Sequence, residues 1–253
     1  MAELMTTHFD ARETRNADER AYALSQELPA LISHAQHSSG FFKNSLHDVD
    51  ASSITTEASL SALPIVRKSD MVARQADKLP LRDFAGVPIE SLHTIYQSPG
   101  PIYEAGMRHS DWWRFGRALA AIGVGKGDIV QNCFSYHFTP AGMMFESAAA
   151  AVGAVVVPAG TGQTELQATA MANLGVTAYA GTPDYLKAIL EKGSALGLDL
   201  SSVTRACVSA GPLFPALRQE YEDRGITCRQ CYGTADVGHI AYESLALEGM
   251  IID

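Results

Sequence analysis

Residues 203–238, VTRACVSAGPLFPALRQEYEDRGITCRQCYGTADVG, decide how the chain is read. Apolar Ala206-Cys207-Val208 runs as a strand into Ser209-Ala210-Gly211-Pro212, and 213–224 carries a helical pattern. Ile226-Thr227-Cys228 returns as a second strand and opens into another glycine-containing turn, Tyr232-Gly233-Thr234-Ala235-Asp236. Two turns that follow consecutive parallel strands lie on one edge of a sheet, the carboxyl edge where open α/β sheets bind ligands. A tyrosine, a glycine, a hydroxyl and a carboxylate gathered there suit a nucleotide base and a phosphate-bound cation. Spacing alone establishes a ligand edge.

The rhythm extends outward from this stretch. From Asp128 onward, strands are expected at 129–134, 154–158, 177–180, 204–208 and 227–232, with helices at 140–152, 165–174, 183–196 and 215–224. Strands alternating with helices of this length predict an α/β fold with a mostly parallel sheet and helices on both faces. A further helix is expected at 111–122, closed by Gly123, Gly125 and Gly127 and carrying Trp112 and Trp113.

The loops at the strand ends hold the polar and aromatic exceptions. Phe134-Ser135-Tyr136-His137-Phe138-Thr139 follows the first strand, and Pro158-Ala159-Gly160-Thr161-Gly162-Gln163-Thr164 the second. Together they predict a crevice with an aromatic wall and a glycine-rich floor. The competing reading makes Phe134, Tyr136 and Phe138 alternating strand residues packed in the core.

Ahead of this domain, 16–36 reads as an amphipathic helix with a capping box at Asn16 and Glu19, kinked or divided at Pro29. Residues 38–61 are polar and irregular, followed by a docking segment at Leu63-Pro64-Ile65-Val66 and a short helix. Residues 1–95 are therefore expected to form a helical and extended arm packed on a main domain at 96–253. Leu92-His93-Thr94-Ile95-Tyr96 alternates like a strand and enters Gln97-Ser98-Pro99-Gly100-Pro101.

Composition sets the outer limits. The chain has 253 residues, 47% hydrophobic and 19% charged, which fits a globular enzyme. A formal charge of −9 opposes nucleic-acid binding, which calls for a basic face. Absence of a signal-peptide core and of any long apolar run predicts a cytoplasmic protein without a membrane partner. The four cysteines point to a reducing compartment, and Cys228-Arg-Gln-Cys231 reads as two strand cysteines, not a zinc site. His34, His37 and His47 lack carboxylate or cysteine partners at ligand spacing and read as solvated surface.

GVGKGDIVQN, GAVVVPAGTGQTELQ, GTPDYL, VSAGPLFP and YGTADVGHIAYES occur in order along the chain. In these stretches it resembles the adenylate-forming enzymes and, among them, the phenylacetate–CoA ligase branch. The resemblance implies ATP-dependent activation of a carboxylic acid, with Mg²⁺, to an acyl-adenylate, then thioester formation with coenzyme A and release of AMP. It implies that Ser209, Ala210, Gly211 and Pro212 lie along the adenine and that Tyr232 stacks on it. Gly233 and Thr234 would approach ribose and α-phosphate, and Asp236 would hold the metal where the family has a glutamate. Asp236 also reads as a cap for a following helix. Phe134, Tyr136 and His137 would border the acyl group, with Ala159, Gly160 and Gly162 opposite. His239 reads as a pocket-rim or packing histidine, and Glu243 as structural.

The chain departs from the family pattern at the phosphate loop, whose place is taken by QSPGPIYE. Pro99 and Pro101 have no N–H to aim at phosphate, no lysine follows, and Glu104 would repel a triphosphate. Gly211 and Gln230 stand where the family carries acidic residues. The sequence ends before the family's C-terminal domain and its adenylation lysine. The expectation is an impaired ligase. The alternative is a non-catalytic acyl- or nucleotide-binding module, or the partner subunit of a split ligase. An exposed sheet edge would favour self-association or a separate C-terminal partner.

Overall fold

The computed structural model describes residues 8–77, 81 and 83–253. Two compact units divide between Arg108 and His109, with Phe9 belonging to the second.

In the N-terminal unit, α1 (Ala17–Ser38) starts on the expected capping box. The Asn16 side chain accepts from the Glu19 N–H, and the Glu19 carboxylate accepts from the Asn16 N–H, both at 2.9 Å. The helix runs unbroken past Pro29, so the expected division does not occur. Its Leu28 and Ile32 pack with Leu46 and Ile54 into a small core. The segment expected to be irregular folds into α2 (Gly40–Ser45) and α3 (Glu57–Ser61). Its short hydroxyl residues supply the caps, Ser39 to the Phe42 N–H and Thr56 to the Ser59 N–H. His34, His37 and His47 are all exposed.

The same unit continues through α4 (Lys68–Asp77) to a hairpin of β1 (Thr94–Ser98) and β2 (Ile102–Gly106). The strand starts later than its alternation suggests, and β2 has no counterpart in the sequence reading. Buried Gln75 of α4 acts as a surrogate neighbouring strand: its Nε2 donates to the Tyr103 carbonyl at 2.9 Å. Its Oε1 accepts from the Tyr103 N–H at 2.7 Å. Glu104 turns a largely buried carboxylate to within 3.8 Å of Lys68 Nζ. A cation does stand beside this hairpin, but α4 supplies it instead of the residues after the loop.

In the C-terminal unit, the helix expected from 111 begins only at α5 (Gly116–Ala121). Asp111 and Arg114 adopt left-handed backbone, with φ of 48° and 64°. The Asp111 carboxylate accepts from the Gly116 N–H at 3.1 and 2.9 Å, so the turn caps the helix. Trp112 and Trp113 lie in this turn, the first exposed and the second buried.

Then come β3 (Ile129–Asn132), α6 (Ala141–Ala151), β4 (Val155–Val157), α7 (Thr164–Leu174), β5 (Ala178–Gly181) and α8 (Pro183–Ala195). They are followed by β6 (Arg205–Val208), α9 (Pro215–Asp223), β7 (Thr227–Thr234), β8 (Gly238–Glu243) and β9 (Met250–Ile252). The seven-stranded sheet has the order β4-β3-β5-β6-β7-β8-β9. Pairings from β4 to β7 are parallel, and β7–β8 and β8–β9 are antiparallel. All four residues of β5 are buried, as expected of a central parallel strand covered on both faces. Tyr179, Leu186, Ile189, Met171 and Tyr221 form the centre of the main core.

The antiparallel end corrects one expectation. β7 runs past the strand end expected at Tyr232 to take in Gly233 and Thr234, and the turn is 235–237. Pairing with β8, which the sequence reading did not contain, extends the strand. Among the described residues, no helix is long and apolar enough to cross a membrane.

Candidate active site at the carboxyl edge of the sheet

β6 and β7 run side by side, with Val208 opposite Gln230. This register brings Ser209 next to Cys231, and the Ser209 hydroxyl donates to the Cys231 carbonyl at 2.8 Å. The two stretches expected to form a nucleotide edge are therefore joined. Ala210 takes a left-handed φ of 61°, an uncommon conformation for a residue with a Cβ. Gly211 is half-buried and packs near Pro183, the first residue of α8, while Pro212 is exposed. The Leu213 N–H donates to Gln230 Oε1 at 3.1 Å, closing the loop onto β7.

Beside this loop, Tyr232 projects an aromatic ring that is 54% exposed. It is a surface residue and not part of the core. Gly233 follows because nothing larger fits: a Cβ there would stand 2.5 Å from the Gly238 carbonyl oxygen and 2.6 Å from Phe115 Cζ. Thr234 Oγ1 accepts from the Val237 N–H at 3.1 Å and shapes the turn that presents exposed Asp236. Asp236 thus sits at the tip of a β-hairpin, so the competing helix-cap reading fails. Arg114 braces the hairpin, donating to the carbonyls of Val237 at 2.9 Å and His239 at 3.1 Å. His239 is 1% exposed and packs between Phe115 and Tyr242, a core histidine and not a rim residue.

The loops after β3 and β4 form the other part of the edge. Asn132 organises them: its Nδ2 donates to the Tyr136 hydroxyl at 2.8 Å and to the Gly142 carbonyl at 2.7 Å. Its own carbonyl accepts from the Gly160 N–H at 2.9 Å. Tyr136 is consequently held against Gly142 and beside Gly160. Burial, and then the neighbouring Glu146 carboxylate, push its pKa above the ordinary phenol range. His137 is exposed and packs edge-on against Phe138. Phe134 stands apart from them: it is 6% exposed and stacked on Phe145 at 4.4 Å between ring centroids. For Phe134 the core reading prevails, while Tyr136 is half-buried and His137 exposed. Ala159 is half-buried against the core, while Gly160 and Gly162 take φ of 66° and 80°.

Three residues unforeseen in the sequence tie these parts together. Phe145 of α6 contacts Phe134 and Phe115, and Phe115 meets Gly233, so one aromatic chain links the β3 loop to the β7–β8 hairpin. Gln167 of α7 is buried and bonded to the loop at 159–162. A buried Asn or Gln in a parallel-sheet unit is the signal that such ties exist, since it must find partners.

Among the described residues, no three His, Cys, Asp or Glu side chains gather as a protein-only metal cage. A single exposed carboxylate, Asp236, fits Mg²⁺, which keeps much of its water and relies on substrate phosphates for further ligands.

The model of the AMP-binding enzyme family matches residues 108–250. The phenylacetate-coenzyme A ligase of Escherichia coli (strain K12) is 28% identical over 250 residues, covering 92% of this chain and 55% of that protein. The ligase of the same name from Thermus thermophilus is 25% identical, covering 87% and 51%. This chain spans about half the length of the curated relatives it matches. A 2-hydroxyisobutyryl-CoA ligase, crystallised in an open conformation with 2-HIB-AMP and CoA, superposes with a TM-score of 0.85. The match covers 94% of this chain and 60% of that one at 19% identity, a likeness that establishes the fold. With more than half of its length matched by the family model, the chain belongs to the AMP-binding enzyme family.

Proposed function

We infer that this chain takes part in AMP-forming activation of a carboxylic acid, the first half-reaction of an acid–CoA ligase. The observation that carries the reading is the junction of β6 and β7. There the Ser209–Cys231 hydrogen bond sets a left-handed loop beside the exposed ring of Tyr232. Such a platform accepts the face of an adenine, and Ser209, Ala210, Gly211 and Pro212 run along its edge. Gly233 and Thr234 lie next toward the ribose and α-phosphate. Asp236 at the hairpin tip would hold Mg²⁺, which neutralises phosphate charge when bound. The acid would enter between Tyr136, with His137 at its mouth, and the floor of Ala159, Gly160 and Gly162, above buried Phe134. Its carboxylate oxygen would attack the α-phosphorus of ATP and expel pyrophosphate. The thiol of coenzyme A would then displace AMP from the acyl carbon. The phenylacetate-coenzyme A ligases that resemble this chain support an aromatic acid.

The sequence that stands in place of the family's phosphate loop supports weak handling of the triphosphate, since Pro99 and Pro101 have no N–H to offer phosphate oxygens. Calorimetry with AMP, and with ATP and excess Mg²⁺, tests the reading, followed by acid-dependent pyrophosphate release. Binding of both nucleotides is the expected result, AMP the more readily. Failure of both to bind at millimolar concentration would remove adenylation and leave a non-catalytic acyl-binding module.

A further inference from the structure

We propose that Gln167 is the positioning residue of the acid pocket. From α7 it fixes the backbone of the loop at 159–162, and through that backbone the depth available to the acyl group. The inference rests on the acid-activating reading above.

Gln167 is 4% exposed, on a helix whose other inward residues are Ala168 and Met171. A buried amide is costly unless its polar atoms are paired, and a leucine or methionine would fill the same core. Both polar atoms of this side chain are used. Nε2 donates to the carbonyls of Gly160 at 2.8 Å, Gly162 at 3.2 Å and Ala159 at 3.4 Å. Oε1 accepts from Gln131 Nε2 at 2.8 Å and from the Cys133 thiol at 3.0 Å. Gln131 belongs to β3 and is fully buried, so the amide is itself held rigidly.

The loop needs such an anchor. Gly160 and Gly162 both take left-handed φ, and glycines have many other conformations open to them. The remaining ties are few: the Ala159 N–H to the Val157 carbonyl at 2.8 Å, the Gly160 N–H to the Asn132 carbonyl at 2.9 Å, and the Tyr185 hydroxyl to the Gly162 carbonyl. Gly160 in turn stands beside the Tyr136 ring, so a shift of the loop changes the gap between floor and wall. A purely structural glutamine would affect stability alone. A positioning glutamine also affects the acyl part of the ligand and leaves the nucleotide part untouched.

The test compares AMP with the sulfamoyl analogue of phenylacetyl-adenylate, two probes that share the nucleoside and differ in the acyl limb. Affinities are measured by calorimetry for the wild-type chain, Gln167→Met and Tyr185→Phe, with amide hydrogen exchange at Gly160 and Gly162. For Gln167→Met the analogue should weaken about tenfold, the loss expected from a small misplacement of a contacting group. AMP should hold within about twofold, and both amides should exchange faster. Tyr185→Phe keeps the ring, so it should fold in any case, and it should give the same pattern at smaller amplitude. Equal weakening of both probes, or none with either variant, overturns the inference and leaves the acid-activating reading standing. A wild-type chain that binds AMP but gains nothing from the acyl limb sinks the acid pocket, and Gln167's role with it.

Discussion

The guanidinium of Arg218, on α9, grips the carboxylate of Glu243, on β8, through two hydrogen bonds of 2.8 and 3.0 Å. The same carboxylate accepts from the Gln230 N–H at 2.8 Å, and Arg218 also donates to the Cys228 carbonyl at 2.9 Å. Both side chains are more than four-fifths buried, so the pair bolts the antiparallel end of the sheet to α9. Glu243→Ala leaves a buried guanidinium without its counter-charge and should cost about 3 kcal/mol. The double change Arg218→Met with Glu243→Leu removes both charges and should recover much of that loss. Urea denaturation monitored by circular dichroism measures both.

Tyr232 and Gly233 are neighbours with opposite expected behaviour. Tyr232→Ala removes an exposed ring, so stability should change by less than about 0.5 kcal/mol. Its AMP affinity should fall by about 1–3 kcal/mol if the ring stacks on the base. Gly233→Ala drives a Cβ against the Gly238 carbonyl and Phe115 and should destabilise by about 1–3 kcal/mol. Thermal melts with and without AMP separate the two effects.

Ala210 holds a conformation that glycine adopts without cost. Relief of a left-handed Cβ is worth about 1–2 kcal/mol, against about 0.4–1 kcal/mol of extra unfolded-state entropy. Ala210→Gly should therefore be neutral to slightly stabilising. Ala210→Val should be clearly destabilising, because a β-branched side chain is still worse placed at φ of 61°. The midpoints of parallel denaturant titrations decide it.

The parallel half of the fold was legible because its physics is local. Strands buried on both faces must be continuous apolar runs, and Pro183 and Pro215 mark helix starts where a missing N–H costs nothing. The antiparallel end was not. Whether Gly233 and Thr234 form a turn or a strand depends on β8 arriving beside them, a non-local pairing. The helix expected at 111–122 failed for a similar reason. Left-handed backbone at Asp111 and Arg114 is stabilised by the Asp111 bond to Gly116 and by Arg114 reaching Val237, 123 residues away. At the site, Tyr232 and Asp236 announce themselves as exposed polar or aromatic exceptions. Phe134 misleads because its partner Phe145 lies on another element. Gln167 carries no signal of its own in the sequence, and only the fold reveals that it is buried.

The four thiols are free and buried. Burial pushes Cys133 and Cys228 up to about 12, and the contact with Cys231 followed by burial raises Cys207 as well. Thiolate is the reactive form, so the native protein should give almost no reaction with a disulfide reagent at pH 8. All four should react once the protein is unfolded in guanidinium. Rapid labelling of the native chain would contradict this packing.

Asp253 gives the chain a defined acid sensitivity. Burial alone would raise its carboxyl pKa, but the contact with His239 and the charges of Arg117 and Arg114 outweigh it and hold the group below the ordinary range. The His239 contact, at 3.6 Å, is too long for a hydrogen bond, and the shorter 2.6 Å bond to Arg117 carries more weight. A carboxyl with a depressed folded-state pKa contributes stability that is complete above its unfolded pKa of about 3.9. That contribution is lost as pH falls through the folded-state value. Asp111, raised chiefly by burial, works in the opposite sense and gains relative stability on protonation. Asp253→Asn should therefore lower stability at pH 7 and matter progressively less as pH falls below the unfolded value toward the folded-state one, so that its pH–stability curve is flatter than the wild type's. Urea midpoints taken at half-unit steps from pH 7 downward measure the difference. Curves that stay parallel across this range would show that the Arg117–Asp253 pair contributes nothing to folding.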